Sequence, residues 1–309
     1  MITELGRLTL GIVLPSQPRQ AADFDFETQI AIARRADELG FSAIWVRDVP
    51  LNGDSYPDPT GHSDPWVLLG ALALATTRIN LVSGSIVLPL RHPLHVAKAA
   101  LSVNALSKGR FVLGLGSGDR PSEFSVFGED FENRKELYRH NWTRLAAALG
   151  QDGAVLDEQS VVRPEFQIRP RTGSAPVSML AVGSASQSLE WIARNAVGWA
   201  TYYRPLSAQA DRIGLWKMAV GKVTTEHRSF SQSMLLDLSE DTDAPPEPLG
   251  LGMRVGRNAL VRYLQDIHEL GANHVMFNLA SRSRPVEHIL QEISEDVMAE
   301  VGQMTEAGF

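Results

Sequence analysis

The sequence predicts an α/β chain folded as a (β/α)8 TIM barrel with an insertion after the fourth strand. Three observations predict it. Eight short apolar runs rich in β-branched and small residues alternate with eight stretches of helical periodicity along 309 residues. Residues 79–127 join a strand, a helix and a second strand so tightly that the two strands must run parallel. The count stops at eight, in one expected domain spanning 1–309 with an excursion near 150–175. Alternation alone also fits an open doubly wound sheet; the count of eight selects the barrel.

The elements follow in order. Residues 8–14 form a first strand, stopped by Pro15. Ile30, Ala33, Ala36 and Leu39 mark a helix over 27–39, with Gly40 suited to its C-terminus. Residues 43–46 are a second strand, followed at once by Arg47 and Asp48, and the Pro, Gly and Asp of 50–63 give a surface loop. Ser63 or Asp64 caps a helix over 65–76, with Pro65 in its first turn. Residues 79–88 are the third strand, and Pro89 and Pro93 bracket a turn. Val96, Ala99, Ala100, Val103 and Leu106 recur at helical spacing, and Gly109 closes that helix. Residues 111–115 are the fourth strand, followed by an irregular stretch over 116–129 and a helix over 131–149. Pro164 and Pro170 make 150–174 an excursion, a hairpin off the main scaffold. Strand five is 176–182, followed by a helix over 187–196; strand six is 198–203, followed by a helix over 208–224. Strand seven is 232–238, and the acidic, proline-rich 239–252 reads as a mobile loop. A helix over 258–270 ends at Gly271, strand eight is 274–279, and 286–301 is the last helix.

Composition excludes several classes of function. The formal charge is −7 with no basic stripe, which argues against a nucleic-acid partner. The chain has no cysteine, so disulfides, iron–sulfur clusters, thiolate zinc sites and cysteine nucleophiles are all excluded. No apolar run approaches the roughly 20 residues of a membrane span, and the N-terminus lacks an export pattern. A cytoplasmic protein without a membrane partner is the expectation.

A barrel carries its site at the C-terminal ends of its strands. Those ends hold Arg47, Asp48, Ser83, Gly84, Gly116, Ser117, Arg120, Gly183, Ser184, Ala185, Tyr202 and Arg204. Strands three and four both end in Gly and Ser, which let a flat ligand approach the backbone; packing alone explains one such strand, but two neighbours point to a site. Residues 183–186 follow a strand and lead into a helix, the arrangement of a phosphate cradle, although a serine N-cap explains the same serines. Residues 114–119 are not a GxGxxG fingerprint. His62, His92, His95 and His140 are scattered, so no metal site is expected. The rim offers no acid–base pair, which leaves the catalytic residue unassigned and points to chemistry carried by a cofactor.

Three runs resemble the luciferase-like flavin-dependent monooxygenase superfamily: SGSIVLPLRHPLHVAKAALSVNALSKGRFVLGLGSGDRPSEFSVFG, IARRADELGFSAIWVRDVPL and VGSASQSLEWIARNAVGWATYY. The resemblance implies a barrel, dimeric as a rule, that binds reduced FMN or a deazaflavin at its mouth. Ser83 and Gly84 would lie beside the ring system, where deazaflavin members often hold a non-prolyl cis peptide. Gly116 and Ser117 would line the ribityl or phosphate side, with Ser117 standing where some luciferases have arginine. Gly183, Ser184 and Ala185 would hold the phosphate, and Arg134 matches a frequent family arginine near it. Arg47, Asp48, Arg120, Tyr202 and Arg204 are the substrate-side candidates, although Arg47 and Asp48 suit a structural ion pair at the rim at least as well and packing alone explains Tyr202. The implied activity is an FMN-dependent monooxygenase acting with O2 on a small organic molecule, supplied by a separate NAD(P)H:flavin reductase. A deazaflavin-dependent dehydrogenase or reductase and a non-catalytic flavin-binding protein are the alternatives.

Overall fold

Eight strands, each buried on both faces, pair in parallel and close on themselves in a computed structural model that describes residues 6–16, 24–53, 61–171 and 176–302. They are β1 (Thr9–Leu14), β2 (Ala43–Val46), β3 (Asn80–Ser83), β4 (Phe111–Gly116), β5 (Ser178–Val182), β6 (Gly198–Tyr202), β7 (Ser229–Leu238) and β8 (His274–Asn278). Each strand pairs with the next, and β8 returns to β1 with His274 opposite Thr9, which closes the barrel. The long helices that follow the strands in turn are α1 (Phe26–Glu38), α2 (Pro65–Ala75), α3 (Pro93–Leu106), α4 (Arg134–Leu149), α5 (Leu189–Asn195), α6 (Leu206–Val223), α7 (Arg257–Leu270) and α8 (Val286–Glu292). The closed parallel sheet, with helices packed outside, is the predicted fold class.

Two cores divide the apolar residues. The larger lies between sheet and helices. The smaller fills the barrel axis and draws Val13, Trp45, Val82, Val112, Leu180, Ala200 and Met276 from seven different strands. Trp45 sets its geometry. Its indole Nε1–H donates to Nε2 of His274 on β8 at 2.9 Å, past the intervening β1. Gly11 on β1 makes room for this, since a Cβ there would sit 2.8 Å from the imidazole Nε2.

Indole is a donor only, so His274 Nε2 accepts and its hydrogen resides on Nδ1. Nδ1 donates to Thr9 Oγ1 at 2.9 Å, and Thr9 Oγ1 donates to the carbonyl of Asn273 at 3.1 Å. Burial pushes the His274 pKa down to about 3. A histidine neutral in the fold takes up a proton on unfolding below about pH 6.5, so stability falls as pH drops from there toward 3. The full span is worth on the order of 4 kcal/mol. Urea titrations between pH 7 and 4 should show this slope, and His274→Gln, whose amide oxygen can still accept from Trp45, should flatten it by about one proton. An unchanged slope would mean that other groups carry the acid response.

The lower face is fastened by charge. Asp37 accepts from the backbone N–H groups of Thr77, Arg78 and Ile79, fixing the entry to β3. Arg110 donates to the carbonyls of Ala73, Thr76 and Ile79.

The structure departs from the sequence reading at several boundaries. The expected third strand over 79–88 breaks after Ser83, resumes at Ile86–Val87 and turns through a short 3-10 segment at Leu88–Leu90. The irregular stretch after β4 contains a helix, Pro121–Val126. Strand seven starts three residues early, at Ser229, because Phe230 is buried in the outer core. The loop over 239–252 is tied down. Glu247–Pro248 pairs antiparallel with Gly252–Val255, which extends the sheet beside β7. The excursion after α4 is a hairpin held by a bridge between Leu156 and Val162. Residues 54–60 of the loop expected at 50–63, and 172–174 at the end of the excursion, lie outside the described residues, as do 1–5 of the N-terminus. Among the described residues no helix is long and apolar enough to cross a membrane.

Candidate functional site

The break in β3 shapes one wall of the barrel mouth. Leu81 and Val82 pair with Phe111 and Val112, after which the ladder stops. Ser83 bridges the gap: its hydroxyl donates to the Gly114 carbonyl and accepts from the Gly114 N–H, both at 2.9 Å. The Ser83 side chain is thereby fully buried against β4 and does not reach the mouth. The Gly84–Ser85 peptide is cis, and Gly84 N–H donates to the Val46 carbonyl at 2.7 Å. The chain then resumes alongside Leu115 and Gly116.

Glycine at 84 is required by the Trp45 ring, and glycine at 116 leaves room for the Ser85 hydroxyl. A Cβ at 84 would lie 2.7 Å from the Trp45 ring, and one at 116 would lie 2.3 Å from Ser85 Oγ. Trp45 is therefore the floor beneath Gly84. Strand periodicity found the glycines but not the indole that demands one of them.

Asp48 holds the wall from outside. Its carboxylate accepts from Arg91 Nε at 2.9 Å, from Arg91 Nη2 at 2.8 Å and from the Val87 N–H at 3.1 Å. Its side chain is 1% exposed. All three bonds fix the resumed strand, and the ion pair is made with Arg91 and not with Arg47. Arg47 ends β2 at the mouth and is partly buried. Arg120 is engaged by Glu123 at 3.3 Å in the loop after β4. Burial pushes the Glu123 carboxyl above its ordinary range, and Arg120 offsets part of that. Tyr202, at the end of β6, is 54% exposed at the rim, and Arg204 follows it, exposed. Arg134 turns to its own helix start: its guanidinium lies 3.7 Å over the Phe131 ring and donates to the Phe131 carbonyl.

The cradle at the end of β5 is built from a turn. Helix α5 starts only at Leu189, capped by the Ser188 hydroxyl, which accepts from Trp191 N–H at 3.3 Å. The expectation that 183–186 opens the helix directly is corrected by that cap. Gly183, Ala185 and Ser186 all have positive φ, at 68°, 48° and 52°. Such a turn curls successive N–H groups toward one point, an anion-binding nest. Gly183 is pinned on both sides: its N–H donates to the Ala200 carbonyl at 2.8 Å, and its carbonyl accepts from Trp199 Nε1 at 2.5 Å. In a planar trans peptide this turns the Ser184 N–H away from Trp199. Ser186 N–H donates to Ser184 Oγ and Gln187 N–H to the Ser184 carbonyl. The N–H groups of Ser184 and Ala185 have no acceptor among the described residues.

Ser117 Oγ lies 3.3 Å from Ser186 Oγ, which brings the end of β4 to the cradle. Gly116, Ser117, Gly183, Ser184 and Ala185 therefore share one corner of the mouth, beside the wall at Gly84. Free amides and hydroxyls at one end of a wall of glycine and serine fit a flat cofactor that carries a phosphate. Sequence reasoning included Ser186 in the cradle but missed Gln187, Trp199 and Arg139 in this corner; Gln187 directly follows that run. Arg139 meets Gln187 across 48 positions, which no local pattern signals. No group of three metal-ligating side chains exists among the described residues.

The profile of the family described as luciferase-like monooxygenase matches residues 8–227. An uncharacterized protein of Mycobacterium tuberculosis is 26% identical over 275 residues, covering 83% of this chain and 88% of that protein. The 4-hydroxyprotoasukamycin monooxygenase of Streptomyces nodosus subsp. asukaensis is 27% identical, over 66% of this chain and 55% of its own length. The alkanal monooxygenase alpha chain of Photorhabdus luminescens is 23% identical, over 60% of this chain and 50% of its own. Among solved structures, a monooxygenase from Streptomyces bottropensis superimposes with a TM-score of 0.78 at 18% identity, covering 94% of this chain and 99% of that one. An F420-dependent secondary alcohol dehydrogenase does so with a TM-score of 0.76 at 14% identity, covering 96% and 99%. These structural likenesses bear on the fold.

Proposed function

The chain belongs to the luciferase-like monooxygenase family, whose members are flavin- or F420-dependent oxidoreductases, and from that premise we propose that it is a monooxygenase using reduced FMN and O2 on a small organic substrate. The observation that carries the reading is the corner where the free amides of Ser184 and Ala185 meet the hydroxyls of Ser117 and Ser186, beside a wall kept bare at Gly84 and Gly116. Bound there, reduced FMN would supply the two electrons by which O2 gives one oxygen atom to substrate and the other to water.

The chain's own residues bind, orient and exclude water. Ser184, Ala185, Ser117 and Ser186 hold the phosphate end. Gly84 lets the ring system lie against backbone, with Trp45 closing the barrel axis below it. Arg91 and Asp48 keep the Ile86–Val87 segment in register. Tyr202 and Arg204 stand at the open rim, where substrate enters. Deazaflavin-dependent hydride transfer is the second reading, supported by the fold shared with the F420-dependent dehydrogenase.

Anaerobic titration with reduced FMN and with reduced F420, followed by O2, tests the choice. Tighter binding of FMN and consumption of O2 with product oxygenation support the monooxygenase. Preference for F420 without O2 consumption moves the assignment to hydride transfer, and binding without turnover leaves a flavin-binding protein. A separate NAD(P)H:flavin reductase belongs to the monooxygenase reading as the source of reduced FMN, and stimulation of turnover by an added reductase tests it.

We also place a second copy of the chain on the outer face of α2. That helix carries no charged residue, and Val67 and Leu74 are 60% and 75% exposed on it. Sedimentation should give a dimer that Leu74→Glu converts to monomer; a wild-type monomer at micromolar concentration overturns this.

A further inference from the structure

The cradle supplies two free amides and two hydroxyls but no formal charge, and β4 presents Ser117 rather than a cation beside it. Arg134 gives one terminal nitrogen to the Phe131 carbonyl and lies over that ring. One other guanidinium is tied to the turn. Arg139, in the second turn of α4, donates through Nε to Oε1 of Gln187 at 2.6 Å, and Gln187 Nε2 donates to the Lys135 carbonyl at 3.0 Å. The Gln187 backbone N–H closes the turn on the Ser184 carbonyl at 3.1 Å. Gln187 is thus part of the cradle at its backbone and of α4 at its side chain.

Arg139 has no carboxylate partner among the described residues. Its remaining contact is the Trp191 ring, 5.7 Å from its guanidinium carbon. Its two terminal nitrogens, four donors in a fixed plane, are left for an acceptor outside the protein. In a chain of net charge −7, a guanidinium held by a glutamine is oriented without being neutralised.

We propose that Arg139, positioned by Gln187, is a counter-charge for the cofactor's phosphate in this chain. The proposal rests on the cofactor reading above and adds a positioning pair that spans α4 and the turn after β5. It accounts for the turn being bridged to α4 through a neutral amide: a glutamate at 187 would cancel the charge, and a shorter residue would not reach.

The test compares each cofactor with its phosphate-free form, by quenching of flavin or deazaflavin fluorescence: FMN against riboflavin, and F420 against its dephosphorylated deazaflavin. Wild-type protein should bind the phosphate-bearing form more tightly. Arg139→Ala should weaken that form about 10-fold and leave the phosphate-free form unchanged. Arg139→Lys should recover part of the loss, and Gln187→Ala should lose less than Arg139→Ala, since the charge stays but its orientation goes. Added salt should narrow the gap between wild type and Arg139→Ala. Full discrimination retained by Arg139→Ala, or equal loss of both forms, overturns the proposal alone. Wild-type protein that does not discriminate overturns the cradle and this proposal together.

Discussion

Trp45→Ala is expected to cost about 3–5 kcal/mol of stability, measured by urea unfolding. The indole is 1% exposed and fills the barrel axis, so its loss leaves a cavity between strands that close on one another and cannot collapse freely. It also leaves His274 Nε2 buried without a donor, a further penalty of about 1–3 kcal/mol. Trp45→Phe separates the two effects: it keeps most of the packing and loses the hydrogen bond, for an expected cost of about 1–2 kcal/mol. Because Gly84 rests on the same ring, cofactor affinity should fall in Trp45→Ala more than in Trp45→Phe. A cost below about 1 kcal/mol for the alanine variant would show that the axis does not depend on this side chain.

Asp48→Asn is expected to lose about 2 kcal/mol, because it removes the buried partner of Arg91 and leaves that guanidinium, a quarter exposed, with Asp64 at 3.5 Å. The asparagine keeps the shape of aspartate but can offer only one acceptor oxygen to Arg91 and Val87, which now take three bonds from the carboxylate. The functional consequence is local. Amide hydrogen exchange at Val87 should accelerate, since the asparagine NH2 then faces Arg91 Nη2, which disturbs the one oxygen left for Val87 and loosens the segment beside Gly116. Replacing Arg91 by Met in the same chain should restore part of the stability, and the double-mutant cycle should give a coupling above about 1 kcal/mol. Additive losses would mean that the pair is incidental to the wall.

The rim was legible where one strand carries the signal by itself. The serine and glycine at the ends of β4 and β5 were visible because a barrel exposes strand C-termini and small residues stand out there. The helix caps were legible for the same local reason: Asp64 accepts from Trp66 and Val67 as a helix start demands. The role of Ser83 was not legible. A serine at the end of a strand reads as a ligand contact until the neighbouring strand shows that its hydroxyl replaces a missing ladder bond. Asp48 reads the same way until Arg91, 43 positions on, takes its carboxylate.

Local sequence was enough for the alternation of eight strands and eight helices, the positions of the rim and the absence of thiol chemistry. These follow from periodicity and composition, which act within a few residues. Tertiary structure alone decided what stands behind each rim residue. Trp45 reaches His274 across 229 positions, Arg139 reaches Gln187 across 48 and Ser117 meets Ser186 across 69. Closure of the barrel makes these pairs: it brings the ends of all eight strands to one mouth and the side chains of distant strands to one axis, where a residue's role depends on its neighbour around the ring and not along the chain.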